Sequence, residues 1–187
     1  MGRRANTIGA LVVLSAGAAL VALPVAAAPK ADPGTYPVSQ LPRLAQQYAP
    51  GAAVPSRLPA GVIQFRFGPG RLNGYPQRAK YELQFEKNAS SLLGFKLDVV
   101  SGSRVTAVAR AVAAYMKRGG WVVTSSPFTA GRYKGIVESQ RNGGNAFEMY
   151  TWASGGSTYV VTTYVRYAGK SQNAWSKKGV IASFKIP

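Results

Sequence analysis

Few side chains in this sequence could carry out catalysis. The 187 residues include no His and no Cys. Without His, the chain lacks the usual general base, the commonest zinc ligand and the ordinary Ser-His-Asp triad. Without Cys, it has no thiol nucleophile, thiolate metal site or redox pair. Six acidic residues remain, and all except Asp32 lie between positions 82 and 148.

Two pairs of these acids can be compared with the carboxyl pair of a glycoside hydrolase. Glu82 and Glu86 lie four residues apart on a predicted strand, a separation of roughly 13 Å that exceeds either hydrolytic geometry. Glu138 and Glu148 fall near-opposite each other if residues 142–145 form a four-residue hairpin loop, but we favour solvated strand residues. No cluster of carboxylates suits Ca²⁺. We therefore predict no enzyme, catalytic residue, cofactor or metal site.

The sequence does place cations beside aromatic rings in predicted loops. The candidate ligand-binding residues are Arg71, Tyr75 and Arg78 in or just after a loop at 68–77, and Lys170, Trp175, Lys177 and Lys178 in a loop at 168–179. Cations attract anionic groups, and exposed rings stack on sugars or bases or lie at a membrane interface. Further clusters are Lys117, Arg118 and Trp121 at a helix end, and Arg132, Tyr133 and Lys134 at a strand start.

Alternating apolar and polar residues indicate the strands that must position these loops. The predicted strands are residues 62–67, 79–87, 92–100, 121–126, 133–141, 146–153, 158–167 and 180–186. Tight turns rich in Gly, Asn and Ser connect several of them, which is typical of antiparallel pairing. Trp121 and Trp152 stand on strands and are predicted to belong to the core.

One segment has a helical pattern. Apolar residues from Val105 to Met116 recur at helical spacing, Ser103 is the predicted N-cap, and Gly119 with Gly120 ends the helix. The stripe is rich in small residues, so we expect the helix to pack closely on a sheet. The predicted fold class is α+β, with a curved antiparallel sheet of seven or eight strands packed against one helix.

The first 60 residues indicate export and a connecting segment. Arg3 and Arg4, an uncharged apolar stretch and small residues at 25–27 predict a signal peptide at 1–27. Residues 28–61 are proline-rich and predict an extended tether that either floats free or wraps the domain. Residues 62–187 are the predicted single domain. We expect a secreted or periplasmic protein with no integral span after cleavage, the alternative being an uncleaved N-terminal membrane anchor.

The charge of the chain limits its partners. The net charge is +17, and loss of residues 1–27 removes only Arg3 and Arg4, which leaves +15. Such a charge raises encounter rates with anionic partners. Outside the cytoplasm these are lipid headgroups or acidic polysaccharides, whereas nucleic acid is disfavoured because no recognised motif is present. Solubility alone is the other explanation of the charge.

Two short segments resemble bacterial extracytoplasmic domains of unknown function, some of which are attached to anti-sigma-factor-like membrane proteins. The first is Tyr48-Ala49-Pro50 followed by Leu58-Pro59-Ala60-Gly61. The second is residues 152–159, a Trp–turn–Tyr hairpin. The chain departs from that pattern in its central helix and in lacking a membrane or sigma-binding segment. The resemblance implies an envelope sensor or ligand-binding module and no catalytic residues.

These observations predict an exported, non-enzymatic binding module that engages an anionic envelope polymer or lipid through basic and aromatic loops. One alternative is a protein-interaction or assembly module for an acidic partner. Another is a lipid carrier with a cavity between sheet and helix. The lining expected for that cavity is Phe65, Phe67, Phe85, Phe95 and Met116.

Overall fold

The computed structural model describes residues 36–48, 52–58, 64–86, 95–167, 170–171 and 177–185. The predicted signal peptide at 1–27 and the predicted site residue Trp175 lie outside these ranges. Within them, no helix is long and apolar enough to cross a membrane.

An antiparallel sheet dominates the structure. Its seven long strands are β3 (Gln64–Gly68), β4 (Tyr81–Glu86), β5 (Phe95–Ser101), β6 (Val122–Ala130), β7 (Tyr133–Asn142), β8 (Asn145–Ser154) and β9 (Ser157–Tyr167). Two dipeptides extend it, β1 (Tyr36–Pro37) beside β3 and β10 (Lys170–Ser171) beside β9. The strand order is β1-β3-β4-β5-β9-β8-β7-β6. This sheet and the helix α2 (Val105–Arg118) confirm the predicted α+β class and curved sheet.

The sheet is built from two meanders that meet at its centre. Strands β3, β4 and β5 form one, and β6 to β9 form the other, with β9 returning to pair with β5. Gly155 and Gly156 make the β8–β9 turn with φ of +52° and +70°, which a two-residue type I′ turn requires. Helix α2 carries the chain from the central strand β5 to the last strand in the order, β6, and thus crosses one face.

The two faces of this sheet differ in what covers them. The face that carries α2 is called the helix face. The other is called the core face, because its side chains pack with those of α1 (Leu41–Tyr48) and α3 (Lys177–Ala182) in the larger apolar cluster. Trp152 is at the centre of that cluster, fully buried, with its ring 5.5 Å from that of Tyr159 and 5.9 Å from that of Phe184. The prediction that Trp152 is core is confirmed.

The described part of the proline-rich segment packs on the core face. Leu41 and Leu44 of α1 are buried in the apolar cluster, as is Ala53. The backbone N–H of Ala53 donates a hydrogen bond of 2.8 Å to the Tyr81 hydroxyl. Strand β2 (Val54–Pro55) pairs with β11 (Phe184–Lys185) in a second, two-stranded sheet. For the described residues 36–48 and 52–58, these contacts favour wrapping around the domain over a free tether.

The predicted final strand at 180–186 is wrong. Residues Lys177–Ala182 form α3, and only Phe184–Lys185 are extended. Val180, Ile181 and Phe184 are all buried, and this spacing suits one side of a helical turn as well as a short strand. Length and periodicity cannot separate the two in so short a run.

The predicted helix cap is also wrong, although the helix itself is confirmed. Arg104 occupies the N-cap position without a side-chain cap, so Ser103 does not fill it. The Thr158 hydroxyl instead accepts the Arg104 N–H at 2.7 Å and donates to the Gly102 carbonyl at 2.6 Å. A long-range contact from β9 therefore takes the place of a local cap. At the other end, Gly120 has φ of +80° and ends the helix as expected.

Candidate functional site

Helix α2 supplies the candidate site with cations. It buries Val108, Ala109 and Val112, of which the two valines pack with Met149 and Val160 of the sheet. Its exposed side includes four cations: Arg104 at the N-cap, Arg110, Lys117 and Arg118. The helix contains no acidic residue. Its apolar stripe therefore holds it on the sheet, while the charged residues on its other side are all positive.

A groove of about 470 Å³ separates α2 from strands β6 and β7. It is lined by Thr106, Ala109, Arg110, Ala113, Ala114, Lys117, Ser125, Ile136 and Glu138. The alanines are too short to fill the space between the helix and these two strands. Close packing, which we predicted for the whole helix, is limited to its contact with the valines and Met149.

Glu138 contributes a carboxyl group to this groove. The residue is 1% exposed, and its Oε2 has no hydrogen-bond partner among the described residues. Burial raises the pKa of the Glu138 carboxyl to about 7, although Ser125, the charge of Lys117 and Gln140 act in the opposite direction. Near neutral pH this group is therefore divided between its acid and carboxylate forms.

The hairpin of β7 and β8 separates the two glutamates that we considered as a pair. Its turn has two residues between Asn142 and Asn145, so Glu138 pairs with Met149 and Ser139 pairs with Glu148. Neighbouring positions on a strand face opposite sides, so the two carboxyl groups lie on different faces. Glu148 contacts Lys177 Nζ at 2.7 Å and accepts a hydrogen bond of 2.8 Å from the Tyr150 hydroxyl. The near-opposite placement considered for Glu138 and Glu148 is wrong, and so is the favoured solvated position for Glu138, which is 1% exposed.

Arg71, Tyr75 and Arg78 come together in the loop between β3 and β4, as predicted from their loop. They line a pocket of about 360 Å³ with Pro69, Gly70, Pro76 and Gln77. Arg71 and Arg78 are paired by an isolated antiparallel bridge, and both side chains are exposed. Tyr75 is half-buried and packs against the apolar cluster of the helix face. The loop therefore belongs to the same face as α2.

Two glycines fix this loop against the protein. A Cβ at Gly70 would lie 2.7 Å from the Ala79 Cβ and 3.0 Å from Asp98 Oδ1. Gly74 has φ of +80°, and a Cβ there would overlap the side chain of Tyr115 on α2. Because the backbone approaches both neighbours so closely, the loop holds its arginines in a defined place beside the helix.

Beneath Gly70 is a cluster of three charged residues. Lys96 Nζ lies 3.1 Å from Asp98 Oδ2 and 3.2 Å from Glu82 Oε2. Asp98 is fully buried, and burial, together with the nearby Glu82, raises its pKa against the opposing effect of Lys96. Although burial acts to lower it, the pKa of the Lys96 ammonium is raised because Asp98 and Glu82 favour its charge. Sequence reasoning missed this cluster, whose signal was a Lys and an Asp at the polar positions of β5.

Two of the other predicted site residues, Lys177 and Lys178, lie away from the loop arginines. Lys177 begins α3 and contacts Glu148, and neighbouring Lys178 is exposed. Since α3 packs on the core face, these two lysines lie across the sheet from Arg71 and Arg78. The backbone of Lys170 pairs with Tyr167 in β10, and Trp175 lies outside the described residues. Lys177 and Lys178 therefore do not form one site with Arg71 and Arg78.

Aromatic rings gather where α2 ends. The Trp121 ring lies 5.1 Å from that of Phe147, which in turn lies 4.7 Å from that of Tyr164. Trp121 is half-buried, so it is less enclosed than predicted. Beside it are two exposed apolar side chains, Tyr115 at 44% and Val122 at 66%.

The expected phenylalanine lining of a helix-side cavity is not found where the structure describes it. Phe65 and Phe85 belong to the apolar cluster of the core face, and their rings lie 6.4 Å apart. The side chains of Phe67 and Phe95 are outside the described part of the structure. Met116 does pack against the helix-face cluster. The groove beside α2 therefore has alanine and isoleucine walls rather than aromatic ones.

No family model, curated protein or solved structure matches this chain. Within the described ranges, no group of three or more acidic, His or Cys side chains could hold a metal ion.

Proposed function

We propose that this chain is a non-enzymatic binding module that holds an anionic polymer or lipid headgroup on its helix face. The basic groups of this surface are Arg71 and Arg78 in the loop and Arg110, Lys117 and Arg118 on α2. All five are exposed. The signal peptide predicted from the sequence supports a partner in the cell envelope or outside the cell.

The main support for this proposal is the placement of the acidic side chains. Among the acids whose side chains the structure describes, Glu82 and Asp98 contact Lys96, Glu148 contacts Lys177, and Glu138 is buried. These carboxylates therefore leave the exposed cations of α2 and the loop largely uncompensated. A surface of one sign, held on a rigid helix and a fixed loop, concentrates anions near it.

The test is a comparison of two variants that lose the same charge. The helix-face variant carries Arg110→Gln, Lys117→Gln and Arg118→Gln, whereas the control carries Arg57→Gln, Lys178→Gln and Lys185→Gln on the core-face side. Each is titrated against an acidic polysaccharide and against phosphatidylglycerol vesicles at several salt concentrations. Because bound cations release counterions, loss of three contacts should lower the slope of log affinity against log salt by on the order of one per contact.

The two variants have the same net charge and differ only in where the charges are removed. Only the helix-face variant should therefore show the smaller salt dependence of binding. Equal losses in both would mean that the protein binds anions through its overall charge and would remove the helix face from the proposal. Binding of the wild type that does not change with salt would contradict anion binding altogether.

A further inference from the structure

The groove between α2 and strands β6 and β7 offers three kinds of surface at once. Arg110 and Lys117 supply positive charge from the helix. Ser125 and Glu138 supply polar groups from the sheet. Ala109, Ala113, Ala114 and Ile136 supply apolar wall. A ligand that fills the groove must therefore make ionic, hydrogen-bonding and apolar contacts.

The polar groups are the most demanding of these. Glu138 is buried to 99% of its surface, and its Oε2 has no hydrogen-bond partner among the residues described. Next to it on the same face, Gln140 is 3% exposed and lies outside the groove lining, and with Ser125 it favours the carboxylate form of Glu138. A buried polar atom without a partner is costly, so a ligand that brings hydroxyl groups to this floor gains more than an apolar one.

The two cations of the groove indicate that the ligand also carries an anionic group. Lys117 lies close enough to Glu138 for its charge to affect that carboxyl, and Arg110 lies about two helical turns before Lys117 on the same groove. An anionic group on the ligand would therefore lie between these side chains while its hydroxyl groups reach Glu138. The two features must be only a few atoms apart in one molecule.

We infer that this groove is the subsite for one acidic sugar unit of the anionic polymer, an inference that rests on the proposed function. A sugar acid carries a carboxylate for Arg110 and Lys117, hydroxyl groups for Glu138 and Ser125, and a C–H face for the alanines and Ile136. The acyl chain of a lipid satisfies the apolar wall but leaves the carboxyl floor without partners. A headgroup alone satisfies the cations but not the wall.

The experiment blocks the groove without changing any charge. Ala113→Leu places a larger side chain in the groove, and Ala107→Leu is the matched control, because Ala107 is exposed on the same helix and outside the groove lining. Leu and Ala both favour helix, so both variants should fold, and thermal unfolding checks that they do. The probes are a galacturonic acid trisaccharide, the neutral galactose trisaccharide and phosphatidylglycerol vesicles.

We expect the wild type and Ala107→Leu to bind the acidic trisaccharide equally and to bind the neutral one much more weakly. Ala113→Leu should weaken the acidic trisaccharide by about tenfold or more, since overpacking of a filled groove costs that much. Glu138→Gln is a second variant that leaves the shape of the groove unchanged, and it should alter trisaccharide affinity.

Three results would overturn the inference: no binding of the acidic trisaccharide by the wild type, equal binding by Ala113→Leu and Ala107→Leu, or a loss by Ala113→Leu that is as large for vesicles as for the trisaccharide. The last result would point to an amphiphile in the groove. Polymer binding that depends on the helix-face cations but not on Ala113 would leave the proposed function standing and reject only the sugar subsite. The proposed function itself fails if the wild type binds no polyanion.

Discussion

The two faces of the main sheet bury different kinds of side chain. On the core face, aromatic and aliphatic residues such as Trp152, Phe85 and Leu97 are enclosed by α1 and α3. On the helix face, the buried set includes charged and polar groups, among them Asp98, Glu138 and Gln140. The core face therefore has the composition of a stabilising interior, whereas the helix face buries groups that cost stability unless they have partners or a task.

This difference assigns separate roles to the two faces. Apolar packing on the core face supplies the free energy that holds the sheet together. That free energy offsets the cost of burying polar groups on the helix face, where the groove, the arginine loop and the charged cluster lie. Substitutions on the two faces should accordingly affect different measurements.

The largest expected effect is loss of stability from the centre of the core face. Trp152→Ala removes a fully buried ring that lies 5.7 Å from the ring of Tyr133 and 5.5 Å from that of Tyr159. Such a truncation should lower the free energy of unfolding by about 3–5 kcal/mol, measured by urea denaturation. A loss below that of an ordinary surface substitution would show that the core face is not the stabilising one.

The pH dependence of stability should come from the helix face. Burial raises the pKa of Glu138 to about 7 from its usual 4.5, and that of Asp98 is raised too. Between pH 4.5 and about 7, Glu138 keeps its proton in the folded protein but loses it in the unfolded chain. The free energy of unfolding therefore falls as pH rises through this window. Above the folded pKa the loss is complete.

Glu138→Gln should therefore be stabilised relative to the wild type by an amount that grows across this pH range, as measured by thermal unfolding. The carboxyl control is Glu148→Gln on the core face, which removes a group 2.7 Å from Lys177 Nζ and should lower stability instead. A wild type whose stability rises from pH 5 to 8, with no change in Glu138→Gln, would contradict the buried position of this carboxyl group.

The start of α2 allows a smaller test of polar contacts on the helix face. Thr158→Val removes the hydroxyl that bonds Arg104 N–H and the Gly102 carbonyl, and should cost about 1–3 kcal/mol because both partners lose their contact. Ser103→Ala, at the cap position expected from sequence, should change stability by less than about 0.5 kcal/mol. The order of these two variants would be reversed if Ser103 were the true cap.

The sequence predicted the features that depend on local pattern. Alternation located seven of the eight predicted strands, and Gly119 with Gly120 marked the end of α2. The loop that holds Arg71, Tyr75 and Arg78 was also predicted, since its glycines and prolines exclude regular structure. Each of these signals lies within a few consecutive residues.

The features that the sequence did not predict depend on register or on distant contacts. Glu138 and Glu148 are offset by one position in the pairing of β7 with β8, and because one step along a strand reverses the side chain, they lie on opposite faces. The Thr158 contact that replaces the Ser103 cap joins residues 54 apart in sequence. The pairing of β5 with β9, which brings the two meanders together, has no local signal.

The most direct test of the central claim is to map where a polyanion binds the full chain. Backbone amide chemical shifts would be followed by NMR during titration with an acidic polysaccharide fragment. We expect the changes to concentrate in residues 69–80 and 104–121, on the helix face. Changes concentrated instead in residues 52–58 and 177–185, on the core-face side, would contradict it.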